Sequence, residues 1–113
     1  MMSLFHTLFM LIGGHAICDF PLQSDTLAQN KNRNANTELQ KHVPWWYWLG
    51  SHAITHGVAV AISTGSVWLG LAETVAHALI DFFKCEGKYS IHIDQALHIG
   101  CKVLWAAIAY FVK

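Results

Sequence analysis

Residues 42–72 read HVPWWYWLGSHAITHGVAVAISTGSVWLGLA and contain no Asp, Glu, Lys or Arg. Apolar residues dominate on both sides of Ser63-Thr-Gly-Ser66, and so short and uncharged a connection predicts two antiparallel helices that pack against each other. Pro44 is a favourable first residue for the first of them. The stretch therefore predicts helices over about residues 44–62 and 67–83.

Two further apolar segments flank this helical pair. The first covers about residues 3–20 and stops at Pro21, which a helix cannot continue through. The last covers about residues 91–112 after Ser90, a candidate helix cap. Residues 22–42 are polar and predict a loop with room for a short surface helix. The sequence thus predicts an all-α fold, a four-helix antiparallel bundle with short connections and one longer polar loop, as a single domain over residues 1–113.

The composition favours a membrane environment for this bundle. Hydrophobic residues make up 54% of the chain and charged residues 12%, against about 25% charged in ordinary soluble domains. The formal net charge is zero, which gives no basic face for a nucleic-acid duplex. We therefore expect a transmembrane bundle in a lipid bilayer; a soluble bundle rich in buried histidine is the alternative.

The distribution of basic residues predicts how such a bundle would be oriented. Both polar loops lie on one side of the predicted bundle and carry five basic residues, whereas the other side has only Lys113. By the positive-inside rule, the polar loops are expected in the cytoplasm and both termini outside. The five loop residues are Lys31, Arg33, Lys41, Lys84 and Lys88.

Histidines and acidic residues recur at a spacing of four, which places both side chains of a pair on one helix face. With 8 His and 7 Asp or Glu in 113 residues, random placement would give about two such pairs. The chain has six: His15/Asp19, Glu38/His42, His52/His56, Glu73/His77, His77/Asp81 and Asp94/His98. We interpret Glu38/His42 as a solvated surface pair, and His6 and His92 as hydrogen-bonded core histidines that do not bind metal.

The remaining pairs are expected at one height in an antiparallel bundle. Asp19 ends the first helix, Asp81 ends the third and Asp94 begins the fourth, while His52 and His56 lie two to three turns into the second. Carboxylates inside apolar segments are costly without a partner, so a shared function is favoured. The predicted metal ligands are His15, Asp19, His52, His56, His77, Asp81, Asp94 and His98.

Eight donors exceed the four of one structural zinc, so divalent metal ions, two in number, are predicted. Imidazole and carboxylate donors without thiolate suit Zn, Mn or Fe. Asp94 and Glu73 are the candidate proton acceptors of a catalytic site, although Glu73 lies deeper and could instead orient His77. Four polar residues near the predicted mouth could hold an anionic headgroup: Gln23, Lys31, Lys84 and Gln95.

Several of these motifs together resemble a known family. The segments His15-Ala-Ile-Cys-Asp19-Phe-Pro-Leu-Gln23, His52-x-x-x-His56, His77-x-x-x-Asp81-Phe-Phe-Lys84 and Asp94-Gln-x-x-His98 resemble the small bacterial and phage membrane proteins of domain-of-unknown-function family 3307. The pattern is also similar to that of membrane-bound metal-dependent hydrolases and, more distantly, of helical zinc phospholipases. The resemblance implies a location in the bacterial inner membrane, or in that of a phage-infected host.

Three functions from different classes are compatible with the sequence. The leading hypothesis is a membrane-bound metal-dependent hydrolase at the cytoplasmic face, acting on a phosphoester such as a phospholipid, a polyprenyl phosphate or a nucleotide. A metal or proton transporter or channel would use the same polar residues for conduction. A metal-stabilised phage accessory protein would bind metal without turnover. Assembly as a homo-oligomer stays open.

Overall fold

The computed structural model describes residues 3–112 and contains only helices and their connections within that range. Six helices follow in chain order: α1 (Leu4–Asp19), α2 (Asp25–Asn30), α3 (Glu38–His42), α4 (Trp45–Thr64), α5 (Val67–Cys85) and α6 (Ile91–Phe111). The all-α prediction is confirmed. The four long helices agree with the four apolar segments to within about two residues at each end.

Local signals in the sequence explain most of the helix boundaries. Ser3, Ser66 and Ser90 each accept a hydrogen bond from a backbone N–H in the first turn of α1, α5 and α6, respectively. Such caps satisfy backbone donors that have no partner inside the helix. Gly65 ends α4 in the left-handed conformation, with φ of 73°, which glycine adopts without steric cost. The predicted cap at Ser90 is confirmed.

The long helices pack in a ring in which α4 contacts α1 and α5, and α6 contacts α1 and α5. A close crossing joins Gly57 of α4 and Gly70 of α5, since a Cβ built on Gly57 would lie 2.6 Å from the Gly70 carbonyl oxygen. Leu11, Val60, Leu69, Trp105 and Ala106 fill one part of the interior as an apolar core. Histidines and carboxylates fill the part next to the polar loops.

The polar loop between α1 and α4 is more ordered than its composition predicts. It contains α2 and α3, each begun by a side-chain cap. Asn30 is almost fully buried and accepts from the Thr37 hydroxyl, while the Gln40 side chain donates to the carbonyl oxygens of Asn30 and Asn32 at 2.9 and 2.8 Å. These contacts fix the residue that follows Asn30, which is Lys31.

The helices do not support the predicted transmembrane bundle. Within residues 3–112, none is both long enough and apolar enough to cross a membrane. Helix α1 has 16 residues, fewer than the ~20 that a hydrocarbon core requires, while α5 contains Glu73 and Asp81 and α6 contains Asp94 and Lys102. The predicted orientation of loops and termini in a membrane depended on those spans and is not supported either.

Large apolar side chains are nevertheless exposed on every long helix. They include Phe9 on α1, Ile62 on α4, Trp68 on α5 and Phe111 on α6. The apolar surface is therefore distributed around the bundle and is not limited to its core.

Candidate metal centre

Side chains from all four long helices meet in one buried cluster, as the spacing of histidines and acids predicts. One group of donors consists of Asp19, His52, His56 and His77, which we call the first donor group. Each offers a ligand atom within 4.8 Å of the others. Asp19 Oδ1 lies 3.1 Å from His52 Nε2 and 3.0 Å from His56 Nε2. Donors around a tetrahedral ion with bonds of about 2.0–2.2 Å lie about 3.3–3.6 Å apart, so this group could hold one ion after a small adjustment.

A second donor group consists of Asp81, Asp94 and His98, whose ligand atoms also lie within 4.8 Å of one another. It adjoins the first group, because Asp81 Oδ2 is 3.8 Å from His52 Nε2 and 4.0 Å from His77 Nε2. The buried ammonium of Lys31 donates to Asp81 Oδ2 at 2.6 Å. A positive charge therefore already contacts one carboxylate of this group.

The imidazole rings pack directly on one another. The ring centroids of His56 and His77 are 3.7 Å apart and those of His77 and His98 are 4.1 Å apart, and the ring planes are nearly parallel in both pairs.

Several buried polar atoms of this cluster have no hydrogen-bond partner within residues 3–112. Among the described residues, buried atoms without a hydrogen-bond partner are His15 Nδ1, His56 Nδ1, both ring nitrogens of His77, Asp94 Oδ1 and His98 Nδ1. Because buried polar atoms normally have a hydrogen-bond partner, so many unpaired atoms in one place indicate a ligand-binding site.

Burial keeps the central histidines in the form that binds metal. It lowers the pKa of His77 to about 2, although Glu73 acts in the opposite direction. Burial likewise lowers the pKa of His56 to about 4 against the effect of Asp19. For Asp19, burial raises the pKa, but hydrogen bonds from His52 and His56 outweigh it and hold the pKa below its ordinary value. Neutral imidazoles and an ionised carboxylate are the ligands that divalent cations require.

His15 lies at the edge of the cluster beside a glutamine. Its Nε2 is 3.0 Å from Gln95 Oε1 and 3.5 Å from Asp19 Oδ2. The Gln95 amide nitrogen in turn donates to Asp19 Oδ2 at 2.8 Å and to Asp94 Oδ2 at 3.2 Å. Gln95 therefore connects the two donor groups and orients their carboxylates.

Glu73 lies on the opposite side of His77 and has partners of its own. It accepts a hydrogen bond from the Lys102 ammonium through Oε1 and from Trp105 Nε1 through Oε2 at 2.7 Å. Its Oε1 is also 3.5 Å from His77 Nδ1. Burial raises the pKa of Glu73, but its contacts with His77, Lys102 and Trp105 lower it to about 2. This geometry suits the orienting role more than that of a proton acceptor.

Of the four residues predicted at the mouth of the site, three lie near the cluster and Lys84 forms no ion pair with the donor groups. Gln23 and Lys31 lie together, since the Lys31 ammonium donates to Gln23 Oε1 and the Gln23 amide donates to the Asp19 carbonyl oxygen at 3.0 Å. Gln95 is half-buried beside them in the cluster. Lys84 ends α5 and, within residues 3–112, forms no ion pair with the donor groups. Glu38 and His42 are exposed, as predicted. His6 and His92 are also exposed, so the prediction that they are core histidines was wrong.

Lys102 is the largest fully buried side chain among the described residues, and it was not among the site residues predicted from the sequence. Its signal was available: Asp94, His98 and Lys102 follow at intervals of four on α6, so they share one face. A lone lysine within an apolar helical segment requires a buried acidic partner. Here that partner is Glu73.

The comparisons with known proteins agree with the family that the motifs indicate. Residues 7–112 match the family described as "Protein of unknown function (DUF3307)". Searches of curated proteins and of solved structures found no significant match, so the expected similarity to membrane-bound metal-dependent hydrolases is not supported by these comparisons. Since the match covers nearly the whole sequence, the chain belongs to the DUF3307 family.

Proposed function

We propose that this protein is a metal-dependent hydrolase that acts on a phosphoester. The observation that carries the proposal is the first donor group, in which three histidines and one carboxylate each offer a ligand atom within 4.8 Å of the others. A divalent ion bound by such ligands lowers the pKa of a coordinated water to about 7 and polarises a phosphoryl oxygen. The donors are nitrogen and oxygen atoms, which suits Zn, Mn or Fe.

A proton acceptor for the attacking water is available in the second donor group. Asp94 Oδ1 is buried and has no hydrogen-bond partner among the described residues, and it lies 3.4 Å from His98 Nε2. Glu73 was the other candidate, but Lys102 and Trp105 occupy both of its oxygens. We therefore assign the acceptor role to Asp94 and a positioning role, through His77, to Glu73.

The edge of the cluster suits a substrate with an anionic group and an apolar part. Half-buried Gln23 and the nearby Lys31 offer donors to a phosphate, whereas the Gln95 amide already donates to Asp19 and Asp94. Exposed Phe20 and Leu22 follow Asp19 in the chain, and other large apolar side chains are exposed around the bundle. Among the predicted substrates, a phospholipid or a polyprenyl phosphate fits this combination better than a nucleotide does.

Hydrolysis assays on the metal-loaded protein test this proposal. Protein loaded with Zn or Mn should release phosphate or alcohol from short-chain phospholipids or polyprenyl phosphates in detergent micelles. A His52→Ala, His56→Ala double variant should lose at least about 100-fold of that activity. His92→Ala is the matched control, because this exposed histidine belongs to the same polar end. Equal activity in the double variant and the wild type would contradict the proposal.

Burial of the donors favours a second candidate, a metal-stabilised protein without turnover. The ligand side chains of the first donor group are between 0% and 8% exposed, and closed metal sites are typically structural. This candidate predicts metal-dependent stability with no hydrolysis of any phosphoester. The transport hypothesis has less support, because the apolar core fills the interior beyond the histidines.

A further inference from the structure

Lys31 brings a positive charge into the second donor group. Its side chain is 6% exposed, and its ammonium donates to Asp81 Oδ2 at 2.6 Å and to Gln23 Oε1. Asp81 shares this group with Asp94 and His98. The ammonium therefore contacts a carboxylate oxygen that a metal ion in this group would use.

The loop holds Lys31 in this place through a defined set of contacts. Lys31 ends α2, where its backbone N–H donates to the Leu27 carbonyl oxygen at 3.1 Å. The preceding Asn30 is bound by Thr37 and Gln40 and donates to the Thr26 carbonyl oxygen at 2.7 Å. The segment that carries Lys31 to Asp81 is therefore held in place by hydrogen bonds.

The charges buried in the bundle are balanced by a single divalent ion. Four buried carboxylates, Asp19, Glu73, Asp81 and Asp94, face two buried ammonium groups, Lys31 and Lys102. Because histidine binds a metal as the neutral imidazole, the ligand histidines would add no charge, and one divalent ion would neutralise the two remaining negative charges. A second ion with Lys31 still in place would leave the interior with two excess positive charges. Uncompensated buried charge is strongly unfavourable.

We propose that Lys31 is the second cation of the centre: the resting protein binds one divalent ion in the first donor group, and another ion enters the second group only in exchange for the Lys31 ammonium. This inference rests on the proposed metal centre. The unpaired and buried Asp94 Oδ1 and His98 Nδ1 support the second group as a ligand site. The exchange requires the Lys31 side chain to leave Asp81 and move toward solvent.

Metal titration of a lysine variant tests the exchange. Calorimetry with Zn and elemental analysis after dialysis should give one tightly bound ion per chain in the wild type. Lys31→Met should bind two, the second at least about tenfold more tightly than the wild type binds its second ion. Lys88→Met, at an exposed lysine between α5 and α6, is the matched control and should behave as the wild type. One ion per chain in Lys31→Met, or two ions of equal affinity in the wild type, would overturn the inference.

A second measurement uses the unmodified protein, in case Lys31→Met does not fold without its ion pair. Acetylation of lysine amines, quantified by peptide mass spectrometry, should leave Lys31 protected in the one-ion protein and reactive at excess Mn. Lys84 should react in both states. If excess Mn does not change the reactivity of Lys31, the proposed exchange is contradicted, but the proposed binding of one ion in the first donor group is not. If the wild type binds no ion at all, the metal centre itself fails and the exchange fails with it.

Discussion

Two buried polar groups lie side by side in this bundle, and they differ in how completely their atoms are paired. Around Glu73, both carboxylate oxygens accept hydrogen bonds, and Lys102 balances the charge. On the other side of His77, the donor groups contain several ring nitrogens and one carboxylate oxygen without partners among the described residues.

The difference indicates that the two groups have different purposes. A buried network with every partner present specifies the packing of helices, whereas unpaired buried atoms are costly unless a ligand uses them. His77 belongs to both, because it contacts Glu73 on one side and the donor groups on the other. We therefore expect the Glu73 side to support the fold with or without metal, and the histidine side to require a bound ion.

Breaking the paired group should have the largest effect. Lys102→Met leaves Glu73 as a buried carboxylate without its cation, so the free energy of unfolding should fall by about 3–5 kcal/mol. The double variant Glu73→Gln, Lys102→Met removes both charges and should recover most of that loss. Urea unfolding of metal-free protein in detergent measures both. A loss below about 1 kcal/mol in the single variant would contradict the structural role of the pair.

Filling the unpaired group with metal should raise stability by the next largest amount. At a free Zn concentration 100 times the dissociation constant, the free energy of unfolding should rise by about 2.7 kcal/mol. Chelation should reverse the gain, and His52→Ala should abolish it. The double variant Glu73→Gln, Lys102→Met should still be stabilised by Zn. Thermal melts with and without Zn check this, and equal gains in His52→Ala and wild type would contradict it.

The glycine crossing that brings α4 against α5 should show a smaller effect. A Cβ at Gly57 would lie 1.9 Å from Thr74 Oγ1 and 2.6 Å from the Gly70 carbonyl oxygen. Gly57→Ala should therefore cost about 1–3 kcal/mol of stability through overpacking. It should also weaken Zn binding, because the crossing adjoins His56. Gly100→Ala, where nothing lies within 4 Å, is the control and should be neutral or stabilising by up to about 1 kcal/mol.

The smallest effect is expected from the glutamine that joins the two donor groups. Gln95→Ala removes the amide that donates to Asp19 and Asp94 and should weaken metal affinity by about 10-fold to 100-fold. Folding without metal should change little, because Gln95 is only half-buried. Gln29→Ala, an exposed residue of α2, is the matched control. Unchanged Zn affinity in Gln95→Ala, measured by competition with a chelating dye, would contradict the orienting role.

The sequence predicted the elements and the meeting of the ligands well, because both depend on local spacing. Apolar runs, Pro21 and Ser90 marked the long helices, and pairs such as His77 and Asp81 share one helix face by geometry alone. Antiparallel connections then placed these pairs at one height. The role of Lys102 was missed because its acidic partner lies 29 residues away on another helix.

Other features could not be predicted because they depend on tertiary contacts. Lys31 was expected at the mouth, but the hydrogen bonds of Asn30 with Thr37 and Gln40 direct it to the cluster. The transmembrane prediction relied on average composition. Each long helix contributes polar groups to the interior. These groups make the helix less apolar than a membrane span.

The most direct test of the metal centre is X-ray absorption at the Zn edge of stoichiometrically loaded protein. We expect one tightly bound ion with nitrogen and oxygen ligands only, at about 2.0–2.2 Å, and with imidazole scattering from three histidines. The His52→Ala, His56→Ala variant should lose the imidazole signal together with the ion. Sulfur ligands at about 2.3 Å, or a spectrum that is the same in the variant, would contradict the assignment.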